Sequence, residues 1–283
     1  MKGPTLLGVS IAAACGVLAS SPAAASVTTT ITSRTSTSQV TLPLPGGGSY
    51  TADVTIEFDN PQKLSASCLN VTADILSPTE RADVASRMPV SGLAVDDDFP
   101  VRITISPPAG CGLAFDNQYE IEIHTDDLSF TPYTSPYRLY KAPVGGAFHD
   151  ITSSVTQGSV RVRGRGGAFS EFVIVGDSTS YASNATAAYD ALASELSSTS
   201  IASNVRAPLM AEVTASRTAF NSADYATALA DLAPFEDDVA AVAGTSIPNK
   251  WQAAPPALDN VTGELMSLSG VLHFYLGRLN GAP

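Results

Sequence analysis

The spacing of apolar residues changes once along this chain, near Asp177, and that change most constrains the fold. From about Val27 to Val175 apolar and polar residues alternate, the two-residue repeat of strands with one buried face. After Asp177 apolar residues recur at three- and four-residue steps, the repeat of amphipathic helices. Two periods in two stretches predict an α+β chain with its strands and helices segregated. The expected layout is a signal segment over 1–25, an antiparallel β-sandwich over 26–177 and a bundle of about four helices over 178–283. The boundary is expected at the polar stretch Gly176 to Ser180.

Within the first stretch, Thr28 to Ile31 is β-branched. Gln39-Val-Thr-Leu-Pro-Leu runs into Gly46-Gly47-Gly48, and Tyr50 to Phe58 then alternates, which predicts a hairpin. Val101–Ile105, Tyr119–His124, Tyr137–Tyr140, Ser159–Arg163 and Phe169–Val175 follow, each bounded by Gly, Pro or Asp. Seven to nine short strands are therefore expected. Pro78 to Arg87 breaks the pattern and reads as one short helix with Thr79 as its N-cap.

In the second stretch four apolar stripes stand out: Tyr181–Leu196, Val205–Phe220, Tyr225–Val242 and Leu258–Leu279. Gly244 suits a helix C-terminus, with Pro248 preventing continuation and Pro255-Pro256 preceding the last helix. Pro208 and Pro234 each require a first-turn position or a kink.

The first residues indicate compartment. Met1-Lys2 carries one positive charge, residues 5–19 are apolar or small, and Ala23-Ala24-Ala25 places small residues before Ser26. This is the pattern of a secretion signal cleaved before Ser26, and its apolar run is too short to span a bilayer. Cys15 follows Ala12-Ala13-Ala14, without the large aliphatic residue that a lipoprotein signal places three positions earlier, so lipidation there is the weaker reading. The mature protein is expected to be secreted or periplasmic, with no membrane span. It retains Cys68 and Cys111, which in an oxidising compartment predict one disulfide. Closing that 43-residue loop is worth roughly 3–4 kcal/mol by chain entropy.

Two further stretches carry a resemblance. Pro136-Tyr-Arg-Leu-Tyr140, Gly145-Gly-Ala-Phe-His-Asp-Ile-Thr152 and Gly167-Ala-Phe-Ser-Glu-Phe-Val-Ile-Val175 resemble the closing strands of bacterial surface β-sandwich modules. Tyr225-Ala-Thr-Ala-Leu229, Phe235, Val239, Gly244, Ile247-Pro-Asn-Lys-Trp251 and the helix to Leu279 are distantly similar to the C-terminal helical module of FIMAH type. The whole resembles an uncharacterised secreted bacterial family, a domain of unknown function. The resemblance implies architecture and transfers no catalytic residue.

The sequence is poor in recognisable chemistry. A net charge of −12 repels phosphate backbones, so no nucleic-acid partner is expected. No Gly-x-Ser-x-Gly and no His-Glu-x-x-His occurs, and the three histidines, His124, His149 and His273, fall on an expected strand, turn and helix. Gly145-Gly146 and Gly164 to Gly167 lack the Lys-Ser/Thr of a phosphate loop. A polysaccharide hydrolase would need two facing carboxylates in an aromatic cleft, and the one Trp, Trp251, is expected in a loop. Asp96, Asp97 and Asp98, with Asp126 and Asp127, form the candidate calcium site, against the alternative of solvated turns. Arg161, Arg163 and Arg165 share a strand face, as do Glu120, Glu122 and His124. Cross-strand ion pairs are expected, with anion binding by the arginines as the alternative. Phe130, Tyr133, Tyr137, Tyr140 and Phe148 are expected to plug one end of the sandwich.

No catalytic residue and no cofactor is assigned. The sequence predicts a non-enzymatic binding or structural module for a protein or glycan. The alternative is a hydrolase of cell-wall or polysaccharide substrates with carboxylates between the two parts.

Overall fold

The computed structural model describes residues 25–130, 135–197, 201–253 and 258–282. Residues 1–24 of the expected signal segment, Tyr133 and Pro255-Pro256 lie outside the described residues. The chain is α+β, its sheets mainly in the first part and its long helices in the second.

The strands are β1 (Ser26–Ile31), β2 (Thr35–Pro43), β3 (Ser49–Phe58), β4 (Val71–Ile75), β5 (Leu93–Val95), β6 (Val101–Ile105), β7 (Ala114–Asp116), β8 (Tyr119–Phe130), β9 (Tyr137–Ala142), β10 (His149–Asp150), β11 (Thr152–Thr156), β12 (Gly158–Gly166), β13 (Glu171–Asp177) and β14 (Lys250–Gln252). One sheet runs β1-β2-β3-β8-β12-β11, a second β10-β9-β13-β6-β4 with β5 also on β13, and a third joins β14 to β7. All these strand pairs are antiparallel.

The β2–β3 hairpin forms as the sequence predicts. Leu44 and Gly48 close it with a backbone hydrogen bond of 3.1 Å. Gly47 and Gly48 take φ of +94° and +80°, which side-chain-bearing residues rarely adopt. The sequence missed β4, β5, β7, β10, β11 and β14, most of them short and without visible alternation. Trp251 lies in β14, not in a loop, and stacks on Phe115 with ring centroids 5.4 Å apart.

Two short helices interrupt the strands, α1 (Ala66–Leu69) and α2 (Pro78–Ser86). The N-cap of α2 is Ser77, not Thr79. Pro78 takes the first helical position, where its missing N–H costs nothing, and Ser77 and Glu80 close a reciprocal capping box. The four expected long helices are α3 (Tyr181–Leu196), α4 (Ser203–Asn221), α5 (Tyr225–Val242) and α6 (Val261–Leu279). Pro208 and Pro234 lie inside α4 and α5, beyond the first turn. α3 packs on α6, α4 on α5, and α5 on α6.

One buried cluster takes Val54, Ile56 and Ile121 from the first sheet, Ile103 and Phe172 from the second, and Leu192, Leu232 and Leu272 from the helices. A smaller cluster lies on the other side of the second sheet, where Val173 and Val175 meet Val84 of α2 and Phe148. β13 is thus covered on both faces, which is why Phe172–Val175 reads as an unbroken apolar run.

The helical part is fastened to the strands at the start of α6. Asn260 caps that helix by accepting from Gly263 N at 3.0 Å, while its amide donates to Asn117 O at 2.6 Å and Gly167 O at 3.1 Å. Gly263 sits directly against the backbone of Asn117 and Gly167. Ser267 adds a 2.6 Å hydrogen bond to Arg165 O. Inside this junction Lys141 Nζ donates to Glu264 Oε1 at 2.7 Å, and Gly167 N donates to the same oxygen at 3.1 Å.

Candidate functional site

The alternation of β9 sends Tyr137 and Leu139 into the main core. Tyr140 joins the smaller cluster, while Arg138 reaches the aromatic rings of the helical part. β10 pairs with β9 so that His149 stands opposite Lys141 and Asp150 opposite Tyr140. α3 and α6 cover these strands, and a cavity of about 170 Å³ remains between them. β9 and β10 contribute Tyr140, His149 and Asp150. α3 contributes Asn184, Ala187 and Ala188, α6 contributes Leu268, Val271 and Tyr275, and the turn after α2 contributes Pro89 and Val90.

Most polar groups around the cavity are already satisfied by one another. Asp150 Oδ1 accepts from Thr152 N at 2.8 Å and Thr152 Oγ1 at 2.5 Å, and Oδ2 accepts from the Tyr275 hydroxyl. Asn184 donates to Asp177 Oδ2 at 2.6 Å and accepts from Thr179 Oγ1 at 2.6 Å. Arg138, almost fully buried, lies 3.4 Å from Asp177 Oδ2 through Nε. Its guanidinium faces the rings of Tyr181, Phe274 and Tyr275 at 5.2, 5.1 and 5.6 Å.

His149 Nε2 is buried without a hydrogen bond among the described residues, 3.7 Å from Glu264 Oε2, and none of the bonds just described engages the Tyr140 hydroxyl. Burial pushes the Tyr140 hydroxyl well above its ordinary pKa, so it stays protonated. Burial, helped by Lys141, lowers the His149 ring to about 4. Burial raises the Asp150 carboxyl, although the hydrogen bonds from Thr152 and Tyr275 oppose this. For Glu264 burial acts upward, but Lys141 and His149 outweigh it and the carboxyl is lowered overall.

The residues singled out in sequence are placed as follows. Arg161 and Arg163 lie opposite His124 and Glu122 on β12 and β8. Glu122 accepts from Arg161 Nη1 at 3.0 Å and Arg163 Nε at 2.6 Å, so the expected cross-strand ion pairs form. Arg165, opposite Glu120, turns instead to Glu236 of α5 at 3.6 Å. The three arginines thus each have an acidic neighbour. Among the candidate calcium ligands, Asp96 accepts from Asp98 N at 2.9 Å, Asp97 pairs with Arg81, and Asp127 accepts from Thr51 N at 2.7 Å. Asp126 is exposed, 3.5 Å from His124 Nε2. Among the described residues, no three His, Cys, Asp or Glu side chains gather to hold a metal ion. His273 of α6 is partly buried and lies 3.8 Å from Glu236 of α5.

The expected aromatic plug divides in two. Phe130 meets Tyr137 edge-on at 6.2 Å beside the main core, while Tyr140 and Phe148 belong to the smaller cluster under α2. The reason is the alternation of β9, which sends Tyr137 and Tyr140 to different sides. Sequence reasoning did not find Asp150, Arg138, Lys141 or Glu264. All four are charged residues in apolar surroundings, and Arg138 and Lys141 resemble surface strand positions until α6 is placed on them.

Cys68 and Cys111 are both thiols here, with Cys111 Sγ 3.8 Å from Cys68 O. The two cysteines are 43 residues apart in sequence and come together at the end of α1. Oxidation is expected to join them and to raise stability by roughly 3–4 kcal/mol. Peptide mapping under non-reducing conditions, with unfolding curves before and after reduction, checks this; unlinked peptides from oxidised protein would refute it.

No described helix is long and apolar enough to cross a membrane. The model of DUF6689, a family of unknown function, matches residues 12–280, and the chain belongs to that family. No curated protein and no solved structure matches it.

Proposed function

We propose that this member of the DUF6689 family is a secreted, non-enzymatic binding module whose ligand occupies the cavity between α3, α6, β9 and β10. The observation that carries the reading is the cavity itself, of about 170 Å³, with mainly apolar walls and a few polar groups among them. A dry cavity of about 150 Å³ in another protein accommodates benzene, which sets the scale of ligand.

The architecture supporting this site reads as a β-sandwich over 26–177, its layers the two six-stranded sheets, with α3–α6 as a helical bundle over 178–283. The shared buried cluster supports that reading. The signal-like pattern over 1–25 supports export, with cleavage before Ser26.

Binding is favoured over the hydrolase alternative by the state of Asp150, the carboxyl of the cavity wall. Both of its oxygens accept hydrogen bonds from Thr152 and Tyr275. Three of its four acceptor positions are therefore occupied, two on Oδ1 and one on Oδ2, which holds it as a structural acceptor in place of a free base or nucleophile.

Thermal unfolding with small aromatic probes tests the proposal. At about ten times its Kd, a bound probe adds roughly 1.4 kcal/mol, or about 3–6 °C. Ala187→Phe, at an exposed position on the cavity wall, should fill the mouth and abolish the shift. Toluene and phenol that leave the wild-type melting temperature unchanged up to their solubility limits would end the proposal.

A further inference from the structure

We infer that the ligand of this cavity is uncharged and mainly apolar, carries one hydroxyl or carbonyl group, and is about the size of phenol. The inference rests on the binding reading above and specifies its chemistry.

Charge is excluded first. A cationic ligand needs an available carboxylate, and three of the four acceptor positions of Asp150 are already taken by Thr152 and Tyr275. Asp177 is committed to Arg138, Asn184 and Thr179. An anionic ligand needs an available cation, but Lys141 is held by Glu264 and Arg138 by Asp177. A charge buried without a partner loses its hydration and regains nothing.

The apolar part follows from the walls. Val90, Ala188, Leu268 and Val271 face the cavity, and a molecule that fills it trades water contact for theirs. The single polar group follows from what is left over. His149 Nε2 is buried without a hydrogen bond among the described residues, and the Tyr140 hydroxyl at the cavity is engaged by none of the hydrogen bonds described above. Tyr140 stays protonated and donates. His149 is a neutral imidazole with one nitrogen donating and one accepting, the assignment depending on its tautomer. A ligand hydroxyl accepts from Tyr140 and donates to His149, and a carbonyl accepts from either. A hydrocarbon of the same shape leaves both groups unpaired, and that loss is the source of discrimination.

Four probes of similar shape separate the possibilities: phenol, toluene, benzoate and benzylammonium, titrated calorimetrically into the full chain and into Tyr140→Phe. Phenol should bind about 5-fold more tightly than toluene, the difference worth one neutral hydrogen bond. Neither charged probe should bind detectably. Tyr140→Phe keeps the ring and should remove the phenol preference while leaving toluene unchanged. Equal binding of phenol and toluene to the wild type, or tighter binding of a charged probe, overturns this inference while the cavity remains a binding site. Failure of all four overturns the binding proposal as well. The wild-type comparison stands by itself if Tyr140→Phe does not fold.

Discussion

Replacing Glu264 by Gln should lower the melting temperature by roughly 10 °C, a loss of about 3–5 kcal/mol. The substitution keeps the size of the side chain and an oxygen for Gly167 N. It removes the charge opposite Lys141, whose side chain is only 2% exposed and has its ammonium 2.7 Å from Glu264 Oε1. An ammonium left there has neither water nor a counter-ion, so it must deprotonate or drag the strand toward solvent. The pair itself need not be a large net source of stability, because both ions lose hydration when buried. A double variant, Glu264→Leu with Lys141→Met, should therefore recover most of the loss. A melting temperature for Glu264→Gln within 2 °C of the wild type would show that Lys141 is hydrated and that the junction is looser than described.

The same site sets an acid limit. Glu264 has a folded-state pKa below its unfolded value of about 4.3, so its contribution is full above that pH and disappears as pH falls through the folded value. His149 acts in the same sense at higher pH. Its folded value, about 4, lies below its unfolded value near 6.5, so the unfolded chain takes up the proton first and stability falls between them. His149→Gln should flatten the upper part of that decline and leave the Glu264 part in place.

Gly263→Ala should destabilise the protein, although Gly→Ala inside a helix ordinarily stabilises it by roughly 0.5–1 kcal/mol. The sign follows from the surroundings. A Cβ at residue 263 would meet Asn117 O and stand 2.5 Å from Gly167 Cα, and both are backbone atoms that cannot rotate away. The helix must lift, loosening the Asn260 hydrogen bonds to Asn117 and Gly167 and the Glu264 bond to Gly167 N. Overpacking of this kind costs about 1–3 kcal/mol or more, enough to reverse the propensity gain. Gly270, in the same helix, is the control. A Cβ there would lie 3.6 Å from Arg165 Cδ, an ordinary contact, so Gly270→Ala should be neutral or stabilising. Chemical denaturation of both variants distinguishes them. Equal and positive effects would mean that α6 is not pinned to the strands at Gly263.

Both predictions concern contacts that the sequence does not reveal. It did determine the element types wherever a period ran long enough. The alternation in β2, β3 and β8 and the stripes of α3–α6 each place one face in the core, and a one-residue slip would expose that face. It also determined the β2–β3 turn, because three adjacent glycines permit the positive φ angles found there. The Arg161–Glu122–Arg163 ladder was legible for the same reason, since alternate residues of paired strands must share a face.

The site was decided by tertiary structure. Tyr140 and Tyr275 are apolar-stripe residues in sequence, and His149-Asp150 looks like part of a turn. They meet only because β10 pairs with β9 and α6 returns more than a hundred residues later to lie against both. Arg138 and Lys141 are charged residues that charge alone would place in water. They are buried because Asp177 and Glu264 arrive from other elements to neutralise them. Local period reports which face of an element is apolar. It carries no information about which distant element covers that face, and the cavity between α3, α6, β9 and β10 exists only in that covering.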